Sequence, residues 1–167
     1  MADTEKNLQE AFAGESQANR RYLFFAEKAD KEGQPQVARL LRAAAEAETV
    51  HAYNHFNAMD GVGATKENLM AASIGEHHEF TRMYPPFIEQ AAEDNNTRAK
   101  ITFEHANAVE QIHHRAFEEA LKSVNAGQKL TEGPYFVCQV CGNTVLGEAP
   151  DKCPICGAPR DKFKRVD

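Results

Sequence analysis

Four helical stretches between residue 4 and about residue 125 each carry an apolar stripe that is broken by acid near its middle, and no other feature restricts the possible folds as strongly. Read in steps of three and four, the first stretch places Leu8, Phe12, Glu15, Asn19, Tyr22 and Ala26 on one face, with Ala11, Ala18 and Phe25 widening it. The second places Val37, Leu41, Ala44, Glu48, His51, His55 and Ala58. The third gives Leu69, Ala72, Glu76, Glu79 or Phe80, Met83 and Phe87, and the fourth Phe103, Ala106, Glu110, His113, Phe117, Leu121 and Val124. An isolated buried carboxylate costs tens of kcal/mol on an idealised Born estimate, so such a group takes up a proton or a partner.

No Lys or Arg on these stripes faces Glu15, Glu48, Glu76, Glu79 and Glu110. Two divalent cations would set four positive charges against five negative ones, which makes a metal pair the simplest resolution. The spacing supports it. Residues three apart share a helix face, with Cβ atoms about 5–6 Å apart, and both Glu48-Thr-Val-His51 and Glu110-Gln-Ile-His113 are E-x-x-H. Glu15 precedes Glu48 by 33 residues and Glu76 precedes Glu110 by 34, as two helical hairpins would require. One Glu from each of two helices and Glu-x-x-His from the other two is the ligand pattern of carboxylate di-metal bundles. The competing reading puts these glutamates on solvated faces, with the register wrong by about 100°. It would expose Phe12, Leu41, Phe103 and Phe117 together.

Helix boundaries follow from local chemistry. Thr4 is expected to cap the first helix, which ends near Glu32 and Gly33, and Pro35 suits the first turn of the second, which fades around Asp60, Gly61 and Gly63. Thr65 is expected to cap the third helix, with a kink at Pro85 and Pro86 and an end near Asn95 and Asn96. The fourth runs to about Asn125, with Gly127 as its stop.

From Gly133 onward prolines, glycines and clustered cysteines replace the alanine-rich periodicity. The expected division is therefore a helical domain over 1–130 and a small module over 134–167. So short a module buries too little apolar surface to stand without a staple. Cys138, Cys141, Cys153 and Cys156 form two C-x-x-C pairs, with Gly142 and Gly157 directly after them, where glycine allows the knuckle that turns backbone N–H groups toward thiolate sulfur. Four such thiolates make a tetrahedral site for zinc or iron, and spacing alone leaves the two metals equal. A di-metal bundle in the same chain, which would need electrons, favours iron.

A net charge of -6 gives no basic stripe for nucleic acid, and no apolar run approaches the roughly 20 residues of a membrane span. The N-terminus lacks the layout of a signal peptide, so a soluble, cytoplasmic protein is expected, in which paired cysteines hold metal and not disulfides.

EAFAGES around Glu15, AETVHAYNHF around Glu48 and His51, GEHHEFTRMYP around Glu76 and Glu79, VEQIH at Glu110 and His113, and the two C-x-x-C-G knuckles together resemble the rubrerythrin family over nearly the whole chain. The resemblance implies a mainly α protein, with a ferritin-like di-iron four-helix bundle fused to a rubredoxin-like Fe(Cys)4 domain in which zinc is the other candidate metal. It also implies a peroxidase that reduces hydrogen peroxide to water, its electrons arriving through the rubredoxin-type iron from an NAD(P)H-linked reductase or a rubredoxin. By that resemblance Glu48 and Glu110 bridge the irons, Glu15 binds the first, and Glu76 with His113 binds the second. Glu79 and His51 alternate on the first iron, the carboxylate when it is ferric and the imidazole when it is ferrous, in keeping with the harder ion's preference for anionic oxygen. Tyr22 and Tyr84 match tyrosines that hydrogen-bond ligand carboxylates, although each could equally be a core tyrosine. His55 reads as a packed, hydrogen-bonded residue, and His77, His78, His105 and His114 lie off the stripe.

Six residues, Asp60 to Thr65, join the second and third helices and reach at most about 20 Å, whereas a 25-residue helix is about 38 Å long. A ferritin-like topology needs a connection across the full bundle. The expectation is a segment-swapped homodimer, with helices 1 and 2 of one chain packing on helices 3 and 4 of the other. An iron-oxidising protein of ferritin type, or an electron carrier with a zinc-stabilised module, are the alternative functions.

Overall fold

A computed structural model describes residues 2–167. The chain runs α1 (Ala2–Lys31), α2 (Pro35–Ala58), α3 (Thr65–His78), a π-helical turn (Glu79–Met83), α4 (Tyr84–Glu93), α5 (Thr97–Asn125), β1 (Tyr135–Cys138), β2 (Thr144–Leu146), a 3-10 turn (Arg160–Lys162) and β3 (Phe163–Val166). It divides into two compact units, residues up to Gly63 and residues 64–167. Among the described residues no helix is long and apolar enough to cross a membrane.

The helix stops work through one device. At the ends of α1, α2, α4 and α5 the residue that turns left-handed is Gly33 (φ 72°), Asp60 (φ 53°), Asn95 (φ 55°) and Gly127 (φ 65°). In each case the next N–H reaches back to a carbonyl in the last turn, as in Gln34 to Ala29 at 2.9 Å and Asn96 to Ala91 at 2.9 Å. Asn96 then caps α5 by accepting from the Ala99 N–H at 3.1 Å. The starts differ from expectation. Thr4 lies inside α1, and Thr65 is the first residue of α3, whose preceding residue Ala64 gives its N–H to Glu67 at 2.8 Å. A carboxylate three residues into the helix supplies the capping contact from the other direction.

The first unit is a hairpin of α1 and α2. Its seam is made of alanines: Ala18, Ala26 and Ala29 on α1, and Ala38, Ala45 and Ala52, seven apart, on α2. Small side chains let the two backbones approach closely, and Asn19 uses that closeness to donate to the Ala45 carbonyl at 2.7 Å and to Thr49 Oγ1 at 2.9 Å. Phe12 stacks on Phe56 with ring centroids 4.8 Å apart. The stripe carrying Glu48 and His51 runs beside this seam and is only partly covered. Phe25 and Val37, expected on inward faces, are 53% and 47% exposed.

In the second unit α3, the π turn and α4 fill the place of the expected third helix and pack along α5. Next to Pro85 and Pro86, where a kink is expected, the helix carries a π turn just before the prolines. Pro85 has no N–H for the Thr81 carbonyl and its ring would crowd that carbonyl, so the preceding turn widens instead. The three strands form an antiparallel sheet in the order β2-β1-β3, with Val137 opposite Thr144 and Cys138 opposite Phe163. Its interior consists of Cys138, Cys153 and Ala158, with Cys141, Ile155, Cys156 and Phe163 around them.

Candidate metal centres

Helical spacing brings each E-x-x-H together with a third carboxylate. In the first unit Glu15, Glu48 and His51 place one ligand atom each within 4.8 Å of one another, and in the second unit Glu76, Glu110 and His113 do the same. The two trios match closely. His51 Nδ1 lies 2.8 Å from Glu48 Oε2 and 4.0 Å from Glu15 Oε1, while His113 Nδ1 lies 2.8 Å from Glu110 Oε2 and 3.7 Å from Glu76 Oε2. Each is a half-set of carboxylate and imidazole donors on one hairpin, with no Lys or Arg paired to its carboxylates among the described residues.

In the second trio burial works against the ionised carboxylates. Burial raises the Glu76 carboxyl to about 7, helped by its hydrogen bond with Glu110 and opposed by His113. Burial also raises Glu110, although the Glu76 hydrogen bond opposes this. Glu79 opens the π turn just outside the trio. It is raised by burial and then by the Glu76 charge. Tyr84 is raised by burial and by Glu79, Glu110 and Glu76, so this phenol keeps its proton well beyond neutral pH. Titrating groups pushed together toward the protonated state mark a site built to have its protons displaced.

The four thiols fit a metal closely. Cys138 Sγ is 3.7 Å from Cys156 Sγ, and Cys141 Sγ is 3.6 Å from Cys153 Sγ. A tetrahedron with metal–sulfur bonds of about 2.3 Å has edges of about 3.8 Å, whereas a disulfide would draw two sulfurs to about 2.05 Å. Gly142 (φ 85°) and Gly157 (φ 76°) make the expected knuckles. Burial raises Cys141, against which the Asn143 N–H acts. At Cys153 burial is outweighed by the N–H groups of Cys156 and Ile155 and by Cys141, leaving that thiol at about 7. Backbone N–H groups aimed at sulfur favour thiolate, the form a metal takes.

Ten of the eleven expected ligands thus fall into three clusters, and Glu79 stands beside one of them. Tyr22 is half-buried on α1, and neither its hydroxyl nor that of Tyr84 hydrogen-bonds a ligand carboxylate among the described residues. Tyr84 packs instead against Phe87 and Phe103, at centroid distances of 6.4 and 6.2 Å. His55 is half-buried without the hydrogen bond expected of it. His114 pairs with buried Ser73, its Nδ1 lying 3.0 Å from both Ser73 oxygens. Sequence reading missed Thr144, whose Oγ1 lies 2.9 Å from His113 Nε2. No periodicity links two residues 31 apart in unlike elements, so nothing in the sequence marks that contact.

Helices bearing paired carboxylate and imidazole donors, joined to a four-thiolate knuckle, define a carboxylate di-metal protein with an appended thiolate metal site. The family model described as Rubrerythrin matches residues 6–121, and the one described as Rubrerythrin, rubredoxin-like domain matches residues 136–164. The chain is 37% identical to Rubrerythrin-2 of Clostridium acetobutylicum over 98% of its own length and 96% of that protein. It is 38% identical to a rubrerythrin of Porphyromonas gingivalis over 96% and 88% respectively. Among solved structures it is similar to fully reduced, all-ferrous nigerythrin, at 32% identity and a TM-score of 0.56, covering 98% of this chain and 86% of that one. The chain belongs to the rubrerythrin family. It combines a ferritin-like helical part, carrying the carboxylate and histidine groups of a di-iron site, with a rubredoxin-like four-cysteine site, and is an iron oxidoreductase of that family.

Proposed function

We propose that this protein is a non-haem di-iron peroxidase that reduces hydrogen peroxide to water. Its electrons would enter at the Fe(Cys)4 site of a module over 134–167 and serve a helical module over 1–130, an NAD(P)H-linked reductase or a rubredoxin being the donor. The observation that carries the reading is the duplicated trio, Glu15, Glu48 and His51 on one hairpin and Glu76, Glu110 and His113 on the other, in a chain that also holds a four-thiolate site. Bound iron would supply the two electrons that each peroxide consumes. In this reading Glu48 and Glu110 bridge, Glu15 holds the first iron, Glu76 and His113 hold the second, and Glu79 and His51 exchange on the first.

Peroxide reduction also takes up two protons. Glu79, whose partly buried carboxyl is raised by burial and by the Glu76 charge, would supply one when it is not a ligand. Tyr84, which keeps its phenolic proton, would donate a hydrogen bond to a ligand carboxylate of the loaded site. Tyr22 would act in the same way from α1. Four free thiols suit a reducing, cytoplasmic setting.

The working form in this reading is a segment-swapped homodimer. Only residues 59–64 lie between α2 and α3, reaching at most about 20 Å, while α2 with its 24 residues is about 36 Å long. Large apolar side chains stay uncovered in both units, including Phe24 (62% exposed), Leu40 (68%) and Ile74 (63%). A second copy of the chain supplies the matching helices.

Single-turnover mixing tests the activity. Anaerobically reduced protein is mixed with one peroxide per di-iron site, and both metal absorptions are followed. Prompt reoxidation by peroxide, faster than by an equal amount of oxygen, is expected. Reduced protein that ignores peroxide yet oxidises added Fe(II) with oxygen would point to iron handling, and zinc at the cysteines would remove the electron path.

A further inference from the structure

The two trios treat their histidines differently. His51 is 53% exposed at its side chain, and among the described residues its only polar partners are Glu48 at 2.8 Å and Glu15 at 4.0 Å, both at Nδ1. His113 is 28% exposed and is held from both sides: Nδ1 faces Glu110 and Glu76, and Nε2 lies 2.9 Å from Thr144 Oγ1. That hydroxyl has one proton, and it donates it to the Gly142 carbonyl at 3.0 Å. Thr144 can then only accept from His113, so Nε2 carries the hydrogen, and Nδ1 is the nitrogen that faces the carboxylates.

The contact sits on a fitted surface. Thr144 begins β2, directly after the first knuckle. Val109, one turn before His113 on α5, is 2% exposed, and its Cγ1 lies 3.7 Å from where a Cβ on Gly142 would stand. Asn143, between Gly142 and Thr144, is also 2% exposed. The knuckle is therefore packed on α5, and the threonine hydroxyl is held on both sides by groups that cannot swing away independently.

We propose that Thr144 is a positioning residue for the helical metal site: by accepting the Nε2 hydrogen it locks His113 in the tautomer and ring orientation that present Nδ1 to metal. A histidine whose distal nitrogen is fixed in this way is a constant ligand. His51, without such a partner, is free to move on and off. The difference between the trios lies in what stands behind each imidazole and not in the ligands themselves. The inference deepens the di-iron reading and rests on it for its purpose, but it concerns the imidazole alone and is tested without turnover.

The test uses the full-length protein with its cysteine site loaded and its helical sites stripped, as wild type, Thr144→Val and Thr144→Ser. Co(II) titration reads affinity, and nitrogen-15 chemical shifts of the imidazoles read the tautomer. Wild type and Thr144→Ser are expected to show His113 with hydrogen on Nε2 and to bind Co(II) within about two-fold of each other. Thr144→Val should show mixed tautomers and bind the His113-containing site about 10–100-fold more weakly. The absorption of the four-thiolate site should not change. Unaltered affinity in Thr144→Val, equal loss in Thr144→Ser, or hydrogen on Nδ1 in wild type would each overturn the proposal. A protein that passes this test yet fails to turn over peroxide would refute the peroxidase reading alone.

Discussion

Glu76 shows how far the helical site departs from an ordinary surface. Its carboxyl is raised from 4.5 to about 7, with Glu79 and Glu110 displaced in the same direction. In metal-free protein at pH between these values the unfolded chain is ionised at this position while the folded chain keeps its proton. Raising the pH through this window therefore removes stability, and lowering it restores stability, the reverse of a salt-bridged acid. The melting temperature of stripped wild type should fall from pH 5 to pH 8, and Glu76→Gln, which cannot titrate, should show a shallower fall. An equally steep fall in Glu76→Gln would show that the proton is held elsewhere. Bound metal takes the proton's place, so loaded protein should lose the dependence and release protons on loading near neutral pH.

At the scale of elements, ligands on regular helix and ligands on the π turn have different duties. Glu110 projects from the middle of α5, between Val109 and His113, where the helix backbone fixes it. Glu79 begins a five-residue π turn whose wider path is forced by Pro85. A turn of this kind lets one side chain leave the regular register, as an exchangeable ligand requires. Glu110→Ala is expected to lose the helical iron, whereas Glu79→Ala should keep two irons in the helical half and lose turnover by about 10–100-fold. Iron assay beside peroxide consumption decides it, and equal metal loss in both variants would count against ligand exchange. These elements were legible in the sequence to different degrees. Periodicity and E-x-x-H spacing reveal both trios, and Gly33, Asn95 and Gly127 mark helix ends because few other residues accept a left-handed backbone. Thr4 and Thr65 mislead, because a good capping residue does not cap when the helix begins before it or when Glu67 satisfies the end from inside. The two prolines announce a disturbance without saying that the turn before them absorbs it. Thr144 could not have been read, because its role arises only when the knuckle packs on α5.

For the whole molecule the question is how two half-sets of ligands become one metal pair. Each compact unit carries one trio of carboxylate and imidazole donors, and six residues separate α2 from α3. The proposed answer is that two chains exchange hairpins, so that every metal pair takes one trio from each chain. Two crippled chains test this most directly. One carries Glu48→Ala and His51→Ala, the other Glu110→Ala and His113→Ala, and differently tagged chains are co-expressed so that the mixed dimer can be purified. With exchanged hairpins, one site of the mixed dimer is built wholly from unaltered trios, and about half the helical iron and peroxide turnover of wild type should return. A mixed dimer as empty of helical iron as either parent would contradict it.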